Sequence, residues 1–144
     1  MDNGQVALVQ GSFAAVESSG DRLADLFYAR LFQLDPPLRD LFRADLREQN
    51  QKFMSMLAYL IHGLSDPDTF VPAAQELGRR HATYGARAEH YATVGAALLW
   101  TLEAALGDEF TPGVRSAWHA AYGLLAQAMQ DGSRPAQDQE RQGR

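Results

Sequence analysis

The sequence predicts an all-α domain. Apolar residues recur at helical spacing over almost the whole chain, and no stretch alternates apolar and polar residues for long enough to make a half-buried strand. The interruptions fall at Gly, Pro, Ser and Asp clusters of the kind that end one helix and start the next. With 144 residues, a single core is expected and a second catalytic module is not.

A first helix over about residues 3 to 18 stops at Ser18-Ser19-Gly20, and Asp21 is placed to cap a second whose face carries Leu23, Phe27, Leu31 and Leu34. Asp35-Pro36-Pro37 interrupts it. Prolines fit a first helical turn, so a short helical corner from about 36 to 42 follows, ending in Leu41-Phe42. A helix of about 46 to 63 aligns Gln49, Phe53, Met56, Leu57 and Leu60, and closes at Gly63, Ser65, Asp66 and Pro67. The next, about 68 to 83, puts Phe70, Ala73, Ala74, Leu77, His81 and Tyr84 on one inward face before Gly85 ends it. Two long helices, about 88 to 106 (Tyr91, Val94, Leu98, Leu102, Ala105) and 112 to 130 (Val114, Trp118, Tyr122, Leu125, Met129), are expected to pack antiparallel. The folded domain is therefore expected over 1–131. The remainder, 132–144 (GSRPAQDQERQGR), has no apolar face and reads as a disordered tail.

Composition narrows the function. The absence of cysteine excludes disulfides, thiolate metal sites and cysteine nucleophiles. A net charge of -5 argues against nucleic acid or an anionic membrane as the main partner, so a small ligand is expected. Neither a signal segment nor an apolar run of membrane-spanning length is present, which gives the expectation of a cytoplasmic protein.

Three polar side chains occupy inward or semi-inward positions: His81, Gln49 and Tyr28. Burying any of them unpaired costs about 1–3 kcal/mol. Taken singly, each has an ordinary explanation: a hydrogen-bonded core histidine, a core aromatic, a solvated residue near a helix start. Taken together, an imidazole on one helix facing a glutamine on another is what a planar cofactor held between two helices requires. No second histidine, cysteine or carboxylate is spaced to complete a zinc site around His81. Haem brings four nitrogen ligands and needs one axial imidazole. His90 and His119 lie on other helices, and His62 lies about 20 Å along the helix from Gln49, so none is an obvious second ligand. Met54 and Met56 read as packing residues.

The runs LGRRHATYG, HYATVGAALLWTLEAALGDEFTP and AWHAAYGLLAQAM resemble the last three helices of single-domain bacterial haemoglobins related to flavohaemoglobins, and are also similar to neuroglobin. Upstream, LFYARLF and DPPLRDLF resemble the second and third helices of the same group, so the likeness covers about residues 5 to 131. It implies the globin fold, a 3-on-3 helical sandwich around haem b with helices crossing at about 50°. By resemblance His81 is the iron ligand, Phe42 the aromatic wedged on the haem face, and Tyr28 the tyrosine of the distal side. Gln49 is the distal-helix residue, with Asn50 its rival; Gln49 is preferred because Phe53, one turn on, then fills the apolar distal position. Lys52 and Arg80 are candidates to pair with the haem propionates, and Leu77, Tyr84, Tyr91, Val94 and Leu98 complete the haem surroundings.

Two departures from the family pattern carry weight. Tyr91 matches the tyrosine that supports the proximal histidine in flavohaemoglobins, but the place of the accompanying acid, near residue 133, holds serine; this argues against peroxidase-like chemistry. The chain also stops where a flavin and nicotinamide reductase domain would begin, so an external reductase is the expected electron donor. A phenol and an amide over the ligand site imply tight oxygen binding, with carbon monoxide gaining less. Retention of that kind suits nitric oxide dioxygenation better than oxygen storage or delivery. A gas or redox sensor is the main alternative and a haem-free interaction module a third. A monomer or weak homodimer is expected.

Overall fold

A computed structural model describes residues 1–42 and 46–134. Among these, six α-helices follow one another: α1 (Asn3–Glu17), α2 (Gly20–Leu34), α3 (Leu46–Gly63), α4 (Pro67–Thr83), α5 (Ala88–Leu106) and α6 (Pro112–Ser133). Short 3₁₀ segments, Pro36–Leu41 and Gly107–Glu109, join α2 to α3 and α5 to α6. No described residue is in a strand, so the expected all-α class holds.

The helix boundaries follow from local chemistry. The Asp2 carboxylate accepts from the Gln5 backbone N–H at 2.7 Å and the Gln5 side chain returns the bond to the Asp2 N–H, a reciprocal cap on α1. Ser19, not Asp21, precedes the first residue of α2; Asp21 lies within the first turn, where its negative charge faces the positive end of the helix dipole. The corner after α2 is 3₁₀ rather than α, with Pro36 and Pro37 at its start removing two donors that a longer helix would need. Thr111 Oγ1 accepts from the Val114 N–H at 3.2 Å, and Pro112 opens α6. His90 has a local task as well: its Nδ1 accepts the Arg87 N–H at 3.0 Å at the head of α5.

α1 contributes Val9, Phe13 and Val16 to the core, a stripe at i, i+4 and i+7, and α2 adds Leu23, Phe27 and Leu31 at fourfold spacing. Burying each large side chain stabilises the fold by about 1.5–3 kcal/mol. Trp118 is fully enclosed, and its indole N–H donates to Ser12 Oγ at 2.8 Å, which ties α6 to α1. α5 and α6 meet antiparallel as expected: Tyr91 and Gly95 lie against Tyr122, and Glu103 pairs with Arg115. Their larger partners are elsewhere, α2 for α5 and α4 for α6. Ala105, expected on the inner face of α5, is exposed.

The α4–α6 contact is backbone against backbone. A Cβ at Gly78 would collide with the Met129 carbonyl, and one at Gly132 with the Gln75 carbonyl. Gly132 and Ser133, expected to begin a tail, therefore complete the last turn of α6, because the glycine lets that turn lie on α4. Residues 135–144 of the expected tail lie outside the described residues. No helix among the described residues is long and apolar enough to cross a membrane.

Candidate functional site

Tyr28 lies at the centre of an aromatic cluster. Its ring is 5.1 Å from Phe27, 5.3 Å from Phe42 and 5.7 Å from Phe53, all edge-on, and 6.0 Å from Phe32. Phe27 and Phe53 stack at 4.5 Å with planes 11° apart. The cluster joins α2, α3 and the residue that ends the 3₁₀ corner. Tyr28 is buried, and its hydroxyl shares a hydrogen bond with the Gln49 side chain. Burial pushes the phenol above its ordinary range, and the Gln49 bond opposes this in part, so the hydroxyl keeps its proton at neutral pH. A hydroxyl that keeps its proton in an apolar, ring-lined setting can donate a hydrogen bond with little competition from water.

Asn50, the rival to Gln49, is turned to a different partner. It is buried, and its Nδ2 donates to Asp25 Oδ1 at 2.6 Å. The Asp25–Asn50 link is a feature that sequence reasoning missed. The available signal was that Asp25 precedes Tyr28 by three residues and so shares its helix face.

His81 sits in the last turn of α4, half-buried, with Nδ1 2.9 Å from the Leu77 carbonyl oxygen. A carbonyl only accepts, so Nδ1 carries the hydrogen and the Nε2 lone pair is left available. Burial holds the imidazole pKa below its ordinary value, with the Leu77 bond opposing, which favours the neutral form that binds metals. Among the described residues no group of three or more His, Asp or Glu side chains is arranged to hold a metal ion. With Nε2 available, His81 can serve as the one protein ligand of a group that supplies the rest of its metal's ligands itself.

The turn after α4 faces the aromatic cluster. Gly85 has φ +100, in the left-handed region, and a Cβ there would stand 3.2 Å from Leu41 Cδ2. Leu41 adjoins Phe42, so the His81 end of α4 and the cluster occupy the same end of the molecule. Tyr84 departs from expectation. Its ring is edge-on to His81 at 6.4 Å, yet the residue is 69% exposed, because α4 ends at Thr83 and Tyr84 leaves the helical face on which it was placed.

The remaining expected residues divide. Leu77, Tyr91 and Val94 are half-buried, and Leu98 is buried, lining a small apolar cavity of about 30 Å³ with Leu57, Leu60, Trp118 and Tyr122. Lys52 and Arg80 are exposed and already paired, with Glu48 at 3.6 Å and Glu76 at 3.3 Å. Burial raises the Tyr91 phenol, and the Tyr91 carbonyl accepts from the Tyr122 hydroxyl at 2.6 Å. Ser133, in the place of the expected acid, donates to the Gln130 carbonyl at 2.8 Å and so folds back on its own helix.

The model of the globin family matches residues 25–129. A flavohemoprotein of Bordetella parapertussis is 35% identical over 124 residues, covering 83% of this chain and 31% of that protein. One from Chromobacterium violaceum is 32% identical over 127 residues (85% and 31%), and one from Bacillus subtilis 28% over 131 residues (89% and 33%). The chain spans about a third of the length of these curated relatives.

Proposed function

The chain belongs to the globin family, whose cofactor is haem b, and on that premise we propose that it binds dioxygen tightly and supports nitric oxide dioxygenation with electrons from a separate reductase. The observation that carries the reading is the buried Tyr28 hydroxyl, ringed by aromatics and bonded to Gln49.

Haem, when bound, supplies the iron that accepts a small gas and the electron for its chemistry. His81 would hold it through Nε2, the nitrogen that the Leu77 carbonyl leaves available. Because a neutral carbonyl, and not a carboxylate, steadies Nδ1, the imidazole donates less electron density than in a peroxidase-type arrangement. Ser133 offers no substitute, since its hydroxyl is spent on Gln130.

On the other side, Tyr28 and Gln49 present polar groups where a gas ligand gathers negative charge. Each such hydrogen bond in a dry pocket contributes about 1–2 kcal/mol, close to tenfold in residence time. Carbon monoxide, less polar when bound, gains less. Phe42, Phe53, Leu77, Val94 and Leu98 supply the apolar surroundings that exclude water. The ion pairs of Lys52 and Arg80 are solvent-exposed and contribute at most about 1 kcal/mol each, so either cation can exchange its glutamate for a haem propionate. The overall reaction joins dioxygen, nitric oxide and one electron to give nitrate, and slow oxygen release favours it over transport. The cytoplasm, where a chain free of cysteine loses nothing to a reducing environment, is the proposed location.

The test is turnover. Haem-loaded protein, a flavin reductase and NADH should convert nitric oxide to nitrate under air, with Tyr28→Phe slower. Tight oxygen binding without nitrate formation would leave a sensor or store as the function.

A further inference from the structure

We propose that Asp25 is a positioning residue for the distal pair: by holding Asn50 it fixes the register in which α3 brings Gln49 to Tyr28. The inference rests on the reading of Tyr28 and Gln49 as ligand-directed donors and adds a residue to it.

Besides the contacts of Tyr28 itself, three others set α3 against α2. Met54 lies over Gly20, where a Cβ would come within 3.2 Å of its terminal methyl; Phe53 stacks on Phe27 at 4.5 Å; and Asn50 Nδ2 donates to Asp25 Oδ1 at 2.6 Å. The first two are apolar contacts, and although stacked rings have a preferred geometry, both tolerate more sliding of one helix on the other than a short hydrogen bond does. The third is not tolerant. A short bond from an amide to a carboxylate requires both distance and direction, and an amide buried as Asn50 is (7% exposed) loses its one side-chain partner among the described residues if the bond breaks.

Sequence adjacency turns this bond into a gauge for the site. Asn50 directly follows Gln49, and Asp25 lies three residues before Tyr28 on the same face of α2. A slip of α3 by one residue moves it about 1.5 Å and turns it about 100°, which takes the Gln49 carboxamide away from the Tyr28 hydroxyl. Asp25 is itself exposed and has no other part in the core, so its carboxylate is free to serve the register alone.

The experiment compares Asp25→Ala, Asn50→Asp and the swap Asp25→Asn/Asn50→Asp, with Tyr28→Phe as the reference. Asn50→Asp sets two carboxylates against each other; the swap restores one amide donor and one carboxylate acceptor in reversed order. Two quantities are read: oxygen release from the haem-loaded protein by stopped flow, and the Gln49 side-chain amide resonances in the ¹H–¹⁵N spectrum. Asp25→Ala and Asn50→Asp should each speed oxygen release by about three- to tenfold and displace the Gln49 resonances, and the swap should return both toward the parent. Should both single variants keep the parental release rate and amide resonances while Tyr28→Phe quickens release, Asp25 positions nothing. Should Tyr28→Phe leave release unchanged, the donor reading falls, and the Gln49 resonances alone decide the role of Asp25. Since Asp25 is at the surface, Asp25→Ala keeps the fold and decides the matter even if Asn50→Asp does not.

Discussion

The Tyr28 hydroxyl and the Gln49 carboxamide are hydrogen-bonded across α2 and α3, inside a shell of four phenylalanine rings. Tyrosine has two rotatable side-chain bonds and is clamped by rings, whereas glutamine has more rotamer freedom to lose. Tyr28 should therefore carry the larger share. Tyr28→Phe is expected to speed oxygen release about tenfold, and Gln49→Leu by less. Because the two groups touch, the double variant should depart from the sum of the singles, while carbon monoxide release hardly changes. Stopped-flow dissociation of both gases from the parent and the three variants checks this.

His81→Ala should abolish stable haem retention, since His62 and His119 are exposed on α3 and α6 and His90 is engaged in capping α5. Free imidazole added to the variant should restore an axially ligated spectrum by entering the vacated space. Haem content after gel filtration and the absorption spectrum with and without imidazole provide the measurement; full haem content with an unchanged spectrum would refute the assignment.

Much of this was legible in the sequence, for identifiable reasons. The helices were, since long amphipathic periods bounded by Gly, Pro and capping residues leave few alternatives: α3 and α5 begin and end where expected. The inward place of His81 at the end of α4 was legible, but place alone does not separate an iron ligand from a hydrogen-bonded core histidine, and the ligand reading came from the family resemblance. Tyr84 was not, because helical periodicity cannot say that α4 stops at Thr83 and that the next residue turns outward. The Asn50–Asp25 bond was hidden too, since it depends on how α2 crosses α3, and pairing between helices leaves no period in either one. The terminal turn of α6 was misread for a related reason: Gly132 looks like a helix breaker until the partner that needs its missing side chain is known.

Tyr122 should govern stability at alkaline pH. Burial first, and then its neighbour Tyr91, push its phenol well above the ordinary value. In the unfolded chain it ionises near pH 10, while in the folded protein it keeps its proton, so its contribution is full below about pH 10 and is lost as pH rises toward the folded value. Tyr122→Phe removes one hydrogen bond, costing about 1 kcal/mol at pH 8, and should flatten the further loss between pH 10 and 12. Urea midpoints of parent and variant at several pH values measure this. A parallel decline in both would show that Tyr122 is not the group responsible.

Gly78→Ala should be among the most damaging substitutions of a single methyl group. The added carbon has nowhere to go but into the Met129 carbonyl, so α4 and α6 must separate. Overpacking of this kind costs about 1–3 kcal/mol, and more when the obstacle is main chain rather than a movable side chain. Denaturant unfolding should show the loss, and haem affinity should fall with it because α4 carries His81. Gly123→Ala, where an added Cβ meets nothing within 4 Å, is the matched control and should be neutral or slightly stabilising.

The seam between α4 and α6 is built from atoms that every residue possesses. At Met129 and Gln75 the surface presented across it is peptide carbonyl, so exchanging either side chain leaves that surface as it was. Its vulnerability is concentrated at two addresses, 78 and 132, where any side chain at all is an obstruction. At those two addresses the joint depends on the absence of a side chain, and the helix that bears His81 keeps its place only while both stay bare.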